Sequence, residues 1–264
     1  MNYDDILFKK EDRVATIMFN RPDSLNALGG TMREDIIDAI SDIKRDKNIG
    51  ALVITGSGRA FCAGGNIKEM ERMSIEVPLV ERREFVRGVA HKIITEIRAL
   101  KKPVIASING HAIGAGCNIA LACDMRIASD KAKLGVGFIN MGLVSDYGGL
   151  YFLPRLVGVP KAIEMYFSGD VINAVEAERI GMVNKTVRHE ELEKITYELA
   201  SRIAKKAPIA LGMIKDIMYK GLNMNLADEL DLEADAQSIC LKTEDHREGV
   251  RAFLEKRKPV FKGQ

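Results

Sequence analysis

PVIASINGHAIGAGCNIALACDMRIAS, residues 103–129, decides the fold of this chain. Pro103 to Ile108 is a short apolar run of strand length. Asn109 to Gly116 is rich in glycine and reads as a turn. Gly116 to Ala122 has helix-forming residues without a breaker, and Met125 to Ala128 returns to a strand. A strand, a tight turn, a helix and another strand within a few dozen residues form the repeating unit of an α/β core.

The same alternation extends outward. Val14 to Phe19 (VATIMF) is a β-rich run closed by the turn signal Asn20-Arg21-Pro22-Asp23. Thr31 to Arg45 carries Met32, Ile36, Ile37, Ile40 and Ile43 at helical spacing among charges. Ala51 to Thr55 is a buried strand, with Gly56-Ser57-Gly58 as its loop. Val80 to Leu100 reads as one long amphipathic helix, and Glu71 to Arg87 is expected to include a mobile segment over a ligand pocket. From Glu190 onward the pattern is helical, with breaks near Ala207-Pro208 and Gly221. We therefore expect an α/β core over residues 1–190 and an all-helical region over 191–264. The Met- and Leu-rich tail (Met213, Met218, Met224) packs either on its own core or on a neighbour.

Bulk properties exclude several functions. Hydrophobic residues make up 47% of the 264, enough for a large core rather than a disordered chain. Charges nearly cancel to +2, and there is no Trp. Neither an electrostatic footprint nor a stacking platform for nucleic acid results. No stretch is apolar enough to span a membrane. The opening MNYDDILFKKEDR is charged, and Cys62, Cys117, Cys123 and Cys240 form no C-x-x-C pair. These features lead us to expect a reduced, cytoplasmic protein with its cysteines as small core residues. No Gly-Lys pair exists to build a Walker phosphate loop. Gly114-Ala115-Gly116 lacks the third glycine of a dinucleotide fingerprint, since Ile119 stands there. His91, His111, His189 and His246 lack metal-ligand spacing, so no metal is expected. Ser57 lacks the setting of a nucleophile elbow.

Two glycine-rich turns remain, FCAGGNI (61–67) and NGHAIGAGCN (109–118). Small residues let a ligand approach the backbone, and the free N–H groups of a helix start bind negative charge. Brought together, two such turns place two donors on one oxygen, an oxyanion hole. Either turn alone reads as an ordinary strand-to-helix connection.

Five segments in order resemble the enoyl-CoA hydratase/isomerase (crotonase) superfamily: FNRPDSLNAL (19–28), FCAGGNIKEM (61–70), INGHAIGAGCNIALACDMRIAS (108–129), GLVSDYGGLYFLPRLVG (142–158) and AFLEKRKPVFKG (252–263). The resemblance implies a spiral of ββα units followed by helices that mediate trimer contacts, in a homotrimer or dimer of trimers. It implies an acyl-CoA thioester substrate, with no cofactor beyond the CoA moiety of that substrate. By position, the oxyanion donors are the N–H groups of Gly65 and Ala115. Asp23, Ser24, Leu25, Ala63, Asn66 and Ile67 line the path of the thioester. Phe253 and Lys256 match positions that reach the adenine end of CoA, often from a neighbouring subunit, and the Lys256-Arg257-Lys258 run is either a solvated face or an attractor for CoA phosphates.

The departures from the family pattern matter more. The two glutamates that hold water in its hydratases fall at Asn118 and Phe138. An amide bonds but does not exchange a proton near neutral pH, and a phenyl ring does neither. Asp146, in GLVSDYGG, is then the acid expected to face the acyl group. Locally it reads as an N-cap for a helix starting near Tyr147. The segment also resembles the double-bond-shifting branch of the family, the ring 1,2-epoxyphenylacetyl-CoA isomerase and related enoyl-CoA isomerases, where a carboxylate occupies this setting and Asn at position 118 is familiar. That resemblance implies proton transfer by Asp146 from C2 to C4 of an enoyl-CoA, assisted by Asn118. Phe138, Leu143 and Val144 are expected to surround Asp146 and raise its pKa. Three alternatives stay open: a hydratase in which Asp146 replaces the glutamates, a silent acyl-CoA binder, and a nucleophilic Asp146 as in the aryl-CoA dehalogenase branch. The last is disfavoured because that branch also uses Trp. Tyr147 and Tyr151 either touch the acyl group or pack.

Overall fold

The structure, a computed structural model, describes residues 3–264. Strands β1 (Ile6–Glu11) and β2 (Val14–Phe19) form a hairpin in full register, Ile6 opposite Phe19 and Glu11 opposite Val14. Sequence reading misses β1 because its turn residues, Asp12 and Arg13, are not the usual glycine or asparagine, yet both take positive φ (44° and 69°). Helix α1 (Met32–Arg45) follows, its apolar stripe buried as the spacing predicts.

Three ββα turns then succeed one another. Strands β3 (Ala51–Gly56) and β4 (Ala60–Cys62) lead into α2 (Ile67–Glu76), α3 (Leu79–Phe85) and α4 (His91–Ala99). Strands β5 (Val104–Ile108) and β6 (His111–Ile113) lead into α5 (Ala115–Ala122). Strands β7 (Met125–Ser129) and β8 (Lys133–Gly135) lead, through a short 3-10 segment, into α6 (Gly149–Val157) and α7 (Val159–Ser168). Each turn sends its first strand to one sheet and its second to another. Together with β9 (Val171–Asn173), α8 (Ala174–Arg179) and β10 (Lys185–Val187), this produces the orders β1-β2-β3-β5-β7-β10 and β4-β6-β8-β9. The pairings among β3, β5 and β7, and among β4, β6 and β8, are all parallel. The α/β alternation and the ββα spiral are therefore present.

The expected helix from Val80 to Leu100 is real but contains a π-helical stretch, Val86–Ala90, that joins α3 to α4. Both faces of the larger sheet are covered, which is why β3 and β5 read as continuous apolar runs. Ala15, Ile17 and Phe19 face the main core, whereas Val14, Val53, Ile105 and Ile127 face α9 (Leu192–Ala204). Helix α5 is buried on every side, its small residues packed inside the main core. After β10 the chain is helical: α9, then α10 (Pro208–Gly221), α11 (Leu226–Cys240) and α12 (Glu244–Leu254). Pro208 and Gly221 bound α10, at the breaks expected. Among the described residues no helix is long and apolar enough to cross a membrane.

Candidate functional site

Parallel pairing of β4 with β6 carries the two glycine turns side by side. In the first, the Leu28 N–H donates to Gly64 O (2.7 Å) and the Asn66 N–H to Leu28 O (3.1 Å). This bridge fixes Gly65 between them with its own N–H turned away. In the second, Gly114 takes φ 55° and ψ −123°, a conformation open at low strain only to glycine, and α5 begins at the next residue. A Cβ built on Gly64 would lie 3.0 Å from Ile113 O and 3.7 Å from Ala115 N, so the turns abut. Among the described residues, neither the Gly65 nor the Ala115 N–H has an acceptor within the protein. Two adjacent, unspent backbone donors can hold one developing oxyanion.

The residues expected along the thioester path split into two groups. Asp23 and Ser24 form a 3-10 turn, and Leu25 closes it at φ 55°. The buried Asn26 amide pins this loop through Ser57 O, Ala60 O and the Arg21 N–H. The Ala63 N–H donates to Leu25 O (3.0 Å), which ties the Asp23-Ser24-Leu25 turn to the start of the first glycine turn, three residues before Asn66 and Ile67. Ile67 is exposed there, while Asn66 caps α2 through Lys68 N and Glu69 N. Phe253 and Lys256 are exposed at the end of α12, with Phe253 beside Ala207, Cys240 and Phe261 rather than beside the turns. Within the Lys256-Arg257-Lys258 run, Arg257 is tied to Glu248 and Glu255 and is not a free cation.

Asp146 is fixed from below by α5. Asn118, fully buried one turn after Ala115, donates through Nδ2 to Ser145 Oγ (3.0 Å) and to Asp146 O (2.8 Å). Asp146 O also accepts from the Gly149 N–H (3.1 Å), closing a tight turn whose central residues, Tyr147 and Gly148, both have positive φ (47° and 72°). The local expectation of a cap is therefore wrong. Helix α6 starts at Gly149, not near Tyr147, and its cap position is Gly148 with no side-chain bond. The left-handed turn carries the chain away from Asp146 before the helix begins, so its carboxyl cannot reach the first-turn N–H groups.

Asp146 Oδ1 is sealed from solvent without a hydrogen-bond partner, and so is Asn118 Oδ1. Burial pushes the Asp146 carboxyl up to about 6, opposed by the Arg33 guanidinium. The rise was expected but its neighbours were not all the right ones. Leu143 and Val144 are exposed (43% and 76%), whereas Tyr147 is 4% exposed. Phe138 is half-buried and stands beside Gly114, its ring 3.8 Å from where a Cβ would be. Tyr151 packs on the surface with Asn223 and Arg155. Sequence reading missed Arg33, Glu69, Ser145 and Tyr166, whose hydroxyl accepts from Ser145 Oγ (3.4 Å). Arg33 alone left a signal: with Ile36, Ile37 and Ile40 at i+3, i+4 and i+7, it falls on the apolar face of α1.

A spiral that feeds each ββα turn into two sheets, with paired glycine turns over a buried helix, is the crotonase-type fold. Residues 9–264 match the family described as enoyl-CoA hydratase/isomerase, and the chain belongs to that family. It is 40% identical over 262 residues to a protein named crotonyl-CoA hydratase from Syntrophomonas wolfei, covering 99% of each chain. It is 34% identical to trans-2-decenoyl-[acyl-carrier-protein] isomerase from Streptococcus mutans over 100% of both. A crystal structure of enoyl-CoA hydratase from Bacillus anthracis superposes with a TM-score of 0.93 at 33% identity, covering 99% of this chain and 100% of the other.

Proposed function

We propose that this enzyme shifts a carbon–carbon double bond in an enoyl-CoA thioester, with Asp146 as proton carrier. The observation that carries this reading is the Asp146 carboxyl: partly buried, one oxygen sealed and unpartnered, and pushed up to about 6. Such a group is mostly ionised at neutral pH, ready to take a proton, and its raised proton affinity makes it a stronger base than an ordinary carboxylate. The Gly65 and Ala115 N–H groups hold the thioester oxygen. Asp146 takes a proton from C2 of a 3,4-enoyl ester, and the electron pair moves onto that oxygen as an extended enolate. The same carboxyl returns the proton to C4, the double bond forms between C2 and C3, and no atom is gained or lost. Phe138 leaves no second acid there and helps keep water out. The isomerase named above supports a double-bond shift within reach of this family.

A second reading has its own support. Asn118 Oδ1 is a sealed acceptor with nothing to accept from, a place that suits a water O–H. The Syntrophomonas wolfei relative, at 40% identity, is named a hydratase. In that reading Asp146 activates the water that Asn118 orients. Incubation with a 3-enoyl-CoA and a 2-enoyl-CoA separates the two, following the conjugated thioester absorbance and product mass. Conjugation appearing from the 3-enoyl ester without mass gain, and lost in Asp146→Asn, is the expected result. Loss of conjugation from the 2-enoyl ester with gain of one water identifies the hydratase. The further expectations of CoA contacts by Phe253 and Lys256 and of a trimer or hexamer belong together, since within one chain these residues stand apart from the turns.

A further inference from the structure

One buried cation joins the first glycine turn, the Asp146 loop and helices α2 and α3. Arg33 lies on α1 and is 9% exposed. Its Nη2 donates to Leu28 O (2.7 Å), the carbonyl that also receives the Asn66 N–H and so frames Gly65. Its Nε donates to Tyr147 Oη (3.2 Å), the residue after Asp146. Its Nη1 pairs with Glu69 on α2 (3.3 Å), and its guanidinium sits over the Phe85 ring at the end of α3, where the π-helical stretch begins.

We propose that Arg33 is a positioning residue that locks the Gly65 turn, the Asp146 loop and helices α2 and α3 into one geometry, and supplies the positive charge that stabilises ionised Asp146. This deepens the double-bond reading and rests on it for its catalytic consequence. The fork geometry matters because one planar guanidinium reaches three acceptors on three elements at fixed angles, which an ammonium cannot reproduce. Tyr147 is held at positive φ, a strained conformation for a bulky residue. The Arg33 bond to its hydroxyl is one of the contacts that over-determine that turn. A π-helical stretch commonly sits where a helix is bent to serve a site, and here Phe85 places it on Arg33. Besides Asp146, the charged and titratable groups facing Arg33 are Tyr147 from the loop, Glu69 from α2 and Cys62 from β4. Burial pushes the Tyr147 hydroxyl and the Cys62 thiol up to about 12, so both are neutral. Glu69 is then the counter-charge that sets how much of the Arg33 field reaches Asp146.

The test titrates the Asp146 carboxyl by carbon NMR in the full chain and in Arg33→Met, Arg33→Lys and Glu69→Gln, alongside kcat and KM against pH. Arg33→Met is expected to move the Asp146 titration and the acid limb of the profile upward and to lower kcat at least tenfold. Arg33→Lys keeps the charge and is expected to leave the titration in place while kcat still falls. Glu69→Gln, on a partly exposed residue, is expected to move the titration downward, so the question is answered even if Arg33→Met does not fold. An unmoved titration in both Arg33→Met and Glu69→Gln overturns the electrostatic coupling. Unchanged kcat in Arg33→Lys overturns the fork. The titration needs no turnover, so a protein that fails to shift double bonds still reports on Arg33, and an active isomerase with unmoved titrations refutes Arg33 alone.

Discussion

The side-chain amide of Asn118 donates to the backbone carbonyl of Asp146 at 2.8 Å, so the helix that begins at the Ala115 donor also holds the loop that presents the acid. The two roles proposed for these residues share one rigid support. The family resemblance implies a carboxylate at position 118 in a hydratase, and an ionised carboxylate cannot donate the bonds that Asn118 makes. Asn118→Ala is expected to release the loop. Loss of two buried hydrogen bonds costs about 2 kcal/mol, which lowers Tm by roughly 4–8 °C in a chain of this size. Asn118→Asp is expected to cost at least as much at neutral pH and to recover partly as pH falls. Calorimetry across pH checks both, and a variant as stable as the parent refutes the support role.

Asp146 links pH to both activity and stability. Its carboxyl rises from 3.8 to about 6 on folding because burial disfavours its charge. A folded value above the unfolded one means that the native state holds the proton more tightly. Its contribution to stability is full below about pH 4 and disappears as pH rises through about 6. Relative to Asp146→Asn, the parent should lose stability across that window. With Asp146 as the proposed base, activity runs the other way, since a base must be ionised, so kcat/KM should climb with pH to a plateau above about 6. Parallel urea melts and rate profiles test the opposition of sign.

Gly149 closes the acid turn with no room to spare. A Cβ there would lie 2.4 Å from both Oδ1 and Nδ2 of Asn118. The amide is buried and bonded and has nowhere to retreat. Gly149→Ala is therefore expected to displace Asn118 and with it Asp146, cutting kcat on the order of a hundredfold while leaving KM within a few-fold. A fully active Gly149→Ala would show that the Asn118 clamp is dispensable.

The helical region is anchored to the core by a buried ion pair. Lys215 on α10 donates to Asp124 Oδ2 (2.8 Å) and to the carbonyls of Ile97 and Lys102, while Tyr219 donates to Asp124 Oδ1 (2.8 Å). Burial lowers the Lys215 pKa against the pull of Asp124. Removing one partner leaves the other charged and enclosed, so Lys215→Met should cost about 3 kcal/mol. Urea unfolding should show a lower midpoint, and Lys215→Met with Asp124→Asn should recover part of the loss.

Thiol chemistry should separate the four cysteines. Burial pushes Cys62, Cys117 and Cys123 up to about 12, while Cys240 is half-buried. A thiolate-selective disulfide reagent should modify Cys240 alone in the native protein and all four in denaturant. Rapid modification of Cys62 or Cys117 without denaturant would contradict their place in the core.

The sequence by itself determined the α/β alternation, the helical region from Glu190 onward and the two glycine turns. These follow from periodicity and from residues with narrow backbone preferences, both local properties, whereas the ββα order came only as what the family resemblance implies. It also marked Asp146 by the loss of other acids at positions 118 and 138. The three-residue strands β4, β6 and β8 were too short to read, because a strand of that length is stabilised by its partners rather than by its own propensity. Strand β1 was hidden by a left-handed turn at Asp12 and Arg13 that only pairing explains. Tertiary structure alone decided what Asp146 is. Its neighbours in sequence, Leu143 and Val144, lie in solvent, and a left-handed turn removes it from the helix it appears to cap. Its environment comes instead from residues 28 and 113 positions away, Asn118 and Arg33, brought to it by the spiral. A carboxyl takes its proton affinity from burial and nearby charge, and both depend on which distant elements the fold brings together.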